Sequence, residues 1–377
     1  MAYEPPYRFG PPVGAPFFCD REDELKLIVN RMRGGIHVFL LSPRRYGKSS
    51  LLEQASELLL KEGGRCASVN LLFCTSEADL ASAILSAVVH SVLSGPGRAK
   101  HSLEDMLRRV RIAPQVTFDP DGKVSVTFAP AHSNQDWIGV LQDTIALLED
   151  ASEKGPAALI LDEFQVVAGI GPKGVGGVFK ALADQAKHTS IVFSGSHLSV
   201  MENLTRDKGA PLYGMGERVM LDVVPEEAMT KYLVRRARAT GKKMSMTTAR
   251  IIYHEADRIP NYVQQLALAA HEQTDGEITE AEVSRGADRI VDGQVNDFAE
   301  RFEQLAPSQQ RVLRALADTP TSAVSTKSFL DKIGVANHNA VQTALKALVK
   351  RELVYQTGRV WSVSDPFLRR WLRRPLD

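Results

Sequence analysis

The sequence predicts an α/β chain: a parallel sheet core, then an all-helical segment, then a small helix-and-hairpin module. Three observations carry this. Apolar strand-like runs alternate with helical stretches as far as residue 222. Residues 223–300 hold helical signals only, which marks a change of domain. Residues 301–377 read as three helices followed by two short strands and a tight turn. The expected domains are therefore 1–222, 223–300 and 301–377.

The composition suits such a chain. With 377 residues, 44% hydrophobic and 24% charged, it is long enough to bury a sizeable core over two or three domains. A net charge of +1 excludes a globally basic nucleic-acid coat. No run reaches the apolar length of a membrane span, and Met1–Gly10 lacks a basic and an apolar signal region. Cys19, Cys66 and Cys74 have no metal-ligand spacing and read as reduced thiols. A cytoplasmic chain with no membrane partner is expected.

Residues 1–18 are rich in Pro and Gly and read as an extended surface segment. Asp20 reads as the N-cap of a helix whose Leu25, Ile28 and Met32 share one face. Ile36–Leu41 reads as a buried strand and Leu51–Leu60 as a helix. Between them lies Ser42-Pro43-Arg44-Arg45-Tyr46-Gly47-Lys48-Ser49-Ser50. Strand, tight loop and helix form the setting of a phosphate-binding loop. Amides around Gly47 can point at phosphate, Lys48 supplies a point charge, and the Ser49 hydroxyl can ligate Mg²⁺. Ser42 stands where that loop usually begins with Gly; Ser is small enough for the turn.

Cys66–Leu72 reads as a second strand and Glu77–Leu93 as a helix. Residues 98–136 look inserted: Ser94-Gly95-Pro96-Gly97 breaks the chain, and Gln115–Phe118 and Val124–Phe128 alternate around Asp119-Pro120-Asp121-Gly122 as a hairpin does. Trp137–Ala151 is helical. Ala157–Gln165 is an apolar strand ending in carboxylates; Asp162 can hold Mg²⁺ and Glu163 can polarise an attacking water. Ser190–His197 is another apolar strand, and Ser194 and Ser196 are candidates to sense a γ-phosphate or hold the water. His197 reads as a cap or surface residue, and Gly169–Gly177 as a mobile loop.

Helices are expected at Pro225–Ala239, Thr247–Asp257, Pro260–Gln273 and Thr279–Val291, with Pro in first turns and Thr as N-caps. Then come helices at Ser308–Ala317, Thr326–Ile333 and Asn337–Arg351, and strands at Leu353–Gln356 and Arg359–Val363: a winged-helix order. This last segment holds thirteen Lys and Arg against six Asp and Glu, a net +7. Contact with double-stranded DNA through Asn337, Asn339, Gln342, Lys346 and the wing is one reading. A winged helix used as an internal brake or a protein-docking module is the other, because the arginines gather on the tail.

The strings Cys19–Leu25, Ser42–Leu52, Leu161–Gln165 and Phe193–Ser196, with Asp365-Pro366-Phe367-Leu368-Arg369-Arg370-Trp371-Leu372, resemble the archaeal-type ATPase family. That family lies in the signal-transduction (STAND) branch of AAA+-related P-loop ATPases, and the resemblance covers nearly the whole chain. It implies an ATPase core, a helical lid carrying a Pro that packs on the nucleotide (here Pro260), and a winged helix. It also implies that the segment at Phe17–Ile28 packs beside the base. The chain departs from the family at two places. Pro211-Leu212-Tyr213-Gly214-Met215 puts Met where members have Arg, which leaves Arg206 or Arg218 as substitutes, and Arg258-Ile259-Pro260 lacks the usual Gly. Slow or conditional hydrolysis of ATP with Mg²⁺ is expected, its nucleotide state moving the winged helix. The alternatives are a DNA-binding loader or regulator ATPase and a nucleotide-sensing scaffold with little turnover. A protein partner and a homo-oligomer remain open.

Overall fold

The computed structural model describes residues 5–93, 108–112, 115–118, 124–127, 136–153, 155–170, 175–334 and 338–375. The chain forms two compact units: residues 12–223, and residues 224–377 together with the N-terminal segment up to Pro11.

The first unit opens with α1 (Glu22–Arg33), β1 (Val38–Leu41), α2 (Lys48–Lys61), β2 (Arg65–Asn70) and α3 (Glu77–Leu93). A hairpin of β3 (Gln115–Phe118) and β4 (Val124–Thr127) follows, then α4 (Trp137–Ser152) and β5 (Ala157–Asp162). A 3₁₀ turn at Phe164–Gly169 leads to α5 (Val175–Gln185), β6 (Thr189–Gly195), α6 (Leu198–Thr205) and β7 (Glu217–Met220). Five strands join in the order β2-β5-β6-β1-β7, every pairing parallel. Every residue of β1, β5 and β6 is buried, as expected of central strands covered on both faces. Phe39 stacks on Phe193 at 4.9 Å, and Phe164 meets both Phe193 and Phe179 edge-on. These rings fill the core directly beneath the carboxyl ends of β5 and β6.

The second unit contains α7 (Glu226–Ala239), β8 (Lys243–Met244), α8 (Met246–Glu255), α9 (Pro260–His271), β9 (Glu277–Ile278), α10 (Glu280–Gly293) and α11 (Val295–Glu303). It closes with α12 (Pro307–Asp318), α13 (Lys327–Ile333), α14 (His338–Lys350), β10 (Val354–Thr357), β11 (Val360–Val363) and α15 (Pro366–Leu372). The antiparallel β10–β11 pair turns at Gly358, φ +60°, and Thr321 bridges to Trp361. Residues 5–8 belong here: the buried Tyr7 donates to Leu233 O at 2.8 Å and meets the Tyr232 and His271 rings edge-on. Arg236 donates to the carbonyls of Pro5 and Pro6, so this stretch is not the free surface segment expected.

Some boundaries moved. Arg21, not Asp20, holds the N-cap position of α1. Asp20 takes a positive φ, while the buried Arg21 pairs with Glu24 and reaches the Asp222 carbonyl. Pro225 is the N-cap of α7, and the cap of α8 is Ser245 rather than a Thr. Thr279 forms the expected capping box with Glu282. The chain leaves the strand after Asp162, so Glu163–Gln165 are not extended. Gly176 and Gly177 are helical in α5, and the rest of the expected glycine loop, 171–174, lies outside the described residues. So do Ser94–Gly97, the turn at Asp119–Gly122 and Asn337. The short pair β8–β9 and the edge strand β7 were not anticipated.

Candidate functional site

The site grows from the carboxyl ends of three neighbouring strands. Register sets Leu161 beside Phe193 and Leu41 beside Gly195. Residues just beyond β5, β6 and β1 therefore share one edge, where open α/β sheets place ligands.

After β1, Ser42 is fully buried; its N–H donates to Gly195 O and its hydroxyl to Pro43 O at 3.1 Å. A serine thus fits where a glycine is usual. Pro43 and Tyr46 are half-buried; Arg44 and Arg45 are exposed. Arg45 (φ +70°) and Gly47 (φ +89°) turn the chain left-handedly so that α2 starts at Lys48. A Cβ on Gly47 would meet nothing within 4 Å, so the backbone conformation, not space, calls for glycine. The first amides of α2 are the anion-ready end of a helix of 14 residues. Ser50 is buried, and its hydroxyl accepts the Val13 N–H at 3.0 Å.

Lys48 is 7% exposed; its Nζ lies 3.3 Å from Asp162 Oδ1 and 3.5 Å from Glu163 Oε1. Ser49 Oγ donates to Asp162 Oδ2 at 3.2 Å. These two hard oxygens are the donor type and pairing that suit Mg²⁺. Among the described residues, no cluster of three or more His, Cys, Asp or Glu is placed to hold a metal ion. An ion here would therefore complete its shell with phosphate and water oxygens.

Asp162 Oδ1 also accepts from Ser194 Oγ at 2.6 Å and from the Glu163 N–H at 3.0 Å. Ser194 is fully buried, and its hydroxyl is committed to Asp162. Ser196 lies against the second carboxylate: its Oγ donates to Glu163 Oε2 at 2.9 Å. Glu163 takes a left-handed conformation, φ +54° and ψ +38°, which swings it out of the strand. Gln165 was not singled out from the sequence, yet its Nε2 donates to Glu163 Oε2 as well. The signal was its position two residues after Glu163 in Asp-Glu-Phe-Gln.

The structure therefore brings together Lys48, Ser49, Asp162, Glu163, Ser194 and Ser196 with the loop Ser42–Ser50. Pro260 belongs to the second unit, buried at the first position of α9. Of the arginines considered as substitutes, Arg206 pairs with Glu202 at 3.6 Å and Arg218 lies on the edge strand β7. Met215 packs against the apolar core.

On the winged helix, Asn339 and Lys346 are exposed on α14 and Gln342 is half-buried. The tail arginines are engaged inside the unit. Arg369 meets Asp257, Arg370 meets Asp288 at 2.9 Å, and Arg374 meets Asp292 at 2.6 Å. Arg373 donates to the carbonyls of Ala317 and Asp318. Much of the basic excess of residues 301–377 thus faces carboxylates of α8, α10 and the turn before α9. Among the described residues, no helix is long and apolar enough to cross a membrane.

A family model described as a probable winged helix domain matches residues 296–374. No curated protein matches the sequence. Among solved structures, the Walker-type ATPase PABY2304 of Pyrococcus abyssi aligns over 98% of this chain and 100% of its own, with TM-score 0.67 at 17% identity. The Aeropyrum pernix ORC1 protein, solved in complex with DNA, aligns over 96% of this chain and 93% of its own, with TM-score 0.51 at 14% identity. The fold is that of a P-loop ATPase with a C-terminal winged helix.

Proposed function

We propose that this chain binds ATP and hydrolyses it with Mg²⁺ as an ATPase of the signal-transduction class, its nucleotide state setting the position of the winged helix. The single observation that carries the reading is the meeting of Lys48, Ser49, Asp162 and Glu163 at the carboxyl ends of β1 and β5. The loop amides and the Lys48 ammonium would hold the β- and γ-phosphates, and Ser49 with Asp162 would hold Mg²⁺. When bound, Mg²⁺ would neutralise phosphate charge there. Ser194 keeps Asp162 turned toward Ser49. Glu163 would accept the proton of the attacking water.

A second reading has ATP as the clamp and duplex DNA as the target. The exposed face of α14 supports it: Asn339, Thr343, Lys346 and Lys350 are all exposed. The Aeropyrum protein of the same fold was solved with DNA. The engaged tail arginines weigh against it. The deciding experiment titrates ATP·Mg²⁺ into the full chain and its Lys48→Ala variant. The parent should bind and turn over ATP, and Lys48→Ala should lose most affinity. Equal affinity in a folded Lys48→Ala protein would sink the assignment.

A further inference from the structure

We infer that Gln165 is a positioning residue that, with Ser196, anchors one oxygen of the Glu163 carboxylate so that the other is aimed at the attacking water. The inference rests on the hydrolytic reading above and assigns a role to a residue that reading does not use.

The argument begins with the backbone. Glu163 is a non-glycine residue in the left-handed region, a conformation that persists only where surroundings over-determine it. Here they do. The Glu163 N–H donates to Asp162 Oδ1, the Val166 N–H returns to Glu163 O at 3.1 Å, and Phe164 is locked in the aromatic core. The turn therefore carries residue 163 out of β5 and residue 165 back beneath it.

Gln165 then joins two strand ends. Its Oε1 accepts the Ser196 N–H at 3.3 Å, beyond the end of β6, and its Nε2 lies 3.3 Å from Ser196 Oγ. The same Nε2 donates to Glu163 Oε2. The amide orientation follows, since only the oxygen can accept from a backbone N–H. Close approach depends on Gly195: a Cβ there would stand 2.9 Å from Gln165 Oε1 and 2.6 Å from Met201. Gln165 is only 9% exposed and Ser196 only 8%, so neither competes with solvent for these bonds.

The result divides the carboxylate by function. Oε2 receives two hydrogen bonds, from Gln165 and Ser196. Oε1 has neither and faces the Lys48 ammonium at 3.5 Å, on the side where phosphates would lie. A general base must be held in a fixed direction toward the water it activates. Two donors on Oε2 hold Glu163 so and leave Oε1 on the phosphate side, where Lys48 donates to it in this structure.

The test compares the full-length parent with Gln165→Met, which keeps volume but removes donor and acceptor, Ser196→Ala, Glu163→Gln and Glu163→Gln/Gln165→Met. ATP turnover and the Kd of a fluorescent ATP analogue are measured on each. Gln165→Met and Ser196→Ala should lower kcat about 10- to 100-fold, the usual effect of losing a partner that orients a working group. The Kd and KM should stay within about twofold, because the phosphate contacts belong to other residues. The double variant should turn over no more slowly than Glu163→Gln alone. Gln165→Met turning over at the parent rate overturns the anchor. A rise in Kd with kcat preserved also overturns it, since that is the mark of a structural role. Additive losses in the double variant would mean Gln165 acts apart from Glu163. A parent that binds the analogue without turnover removes the hydrolytic reading and this inference with it, whereas turnover insensitive to Gln165 removes the inference alone.

Discussion

Arg369 on α15 donates to both carboxylate oxygens of Asp257, each at 2.7 Å, and both side chains are largely buried. Asp257 and Arg258 occupy the turn between α8 and α9, both with positive φ. Tyr262, two residues past Pro260, donates to Asp365 Oδ2 at 2.7 Å, and Asp365 is the N-cap of α15. The last helix of the winged helix is thereby seated on the turn between α8 and α9, just before Pro260.

Removing one side of that pair should be costly. Arg369→Ala leaves the Asp257 carboxylate buried without its cation, and burial already pushes that group above its usual range against the pull of Arg369. A loss on the order of 3 kcal/mol in unfolding free energy is expected. Asp257→Asn, which tolerates the left-handed turn, should lose less. Denaturant titration measures both; a loss within experimental error for Arg369→Ala would mean the pair does not hold the seam.

Acid should act on His271. Burial, helped by the nearby Lys242 charge, lowers its pKa from 6.5 to about 4. Its folded-state value is depressed, so the stability it contributes is present above pH 6.5 and is lost as pH falls toward 4. The slope from this one group is at most about 1.4 kcal/mol per pH unit. His271→Gln should flatten the fall of stability across that window, as read by denaturant midpoints at pH 7, 6, 5 and 4. An unchanged pH profile would count against His271 as the group responsible.

Glu163→Gln should separate binding from chemistry. Shape and much of the hydrogen bonding survive, while the charge that polarises water is lost, so hydrolysis should fall on the order of 10²–10⁴-fold with ATP still bound. Turnover at the parent rate would strike Glu163 from the role of base.

The winged helix offers a salt test. If α14 lies on duplex phosphates, affinity for a short duplex should fall steeply from 50 to 200 mM salt, on the order of a log unit of slope per phosphate neutralised. Lys346→Ala should lower that slope by about one. Binding indifferent to salt, or absent even at low salt, would leave the brake or docking role.

Much of this was legible in one dimension because the chemistry is local. Lys48 and Ser49 announce themselves beside Gly47, and Asp162 and Glu163 end an apolar run. The winged helix follows from helix order and a tight turn at Gly358. What escaped depends on distant pairing. Gln165 looks like any polar residue until β6 brings Ser196 beside it. The partners of the tail arginines could not be read, because the carboxylates that meet Arg369, Arg370 and Arg374 lie more than eighty positions earlier. Two-residue strands such as β8 and β9 have no periodicity to read, and a cap can slip by one residue when, as at Arg21, a buried cation sets the helix start.

Tyr7 and its acceptor carbonyl at Leu233 are separated by 226 positions, with the whole first unit between them. Order of synthesis therefore works against the second unit. The segment at residues 5–8 emerges early and has no partner until α7 and His271 of α9 have followed. The first unit, by contrast, is complete in sequence by residue 223. A nascent chain can finish that unit while residues 5–8 still wait for α7 and α9, and a fragment begun at residue 224 would lack Tyr7 and its bond to the Leu233 carbonyl permanently.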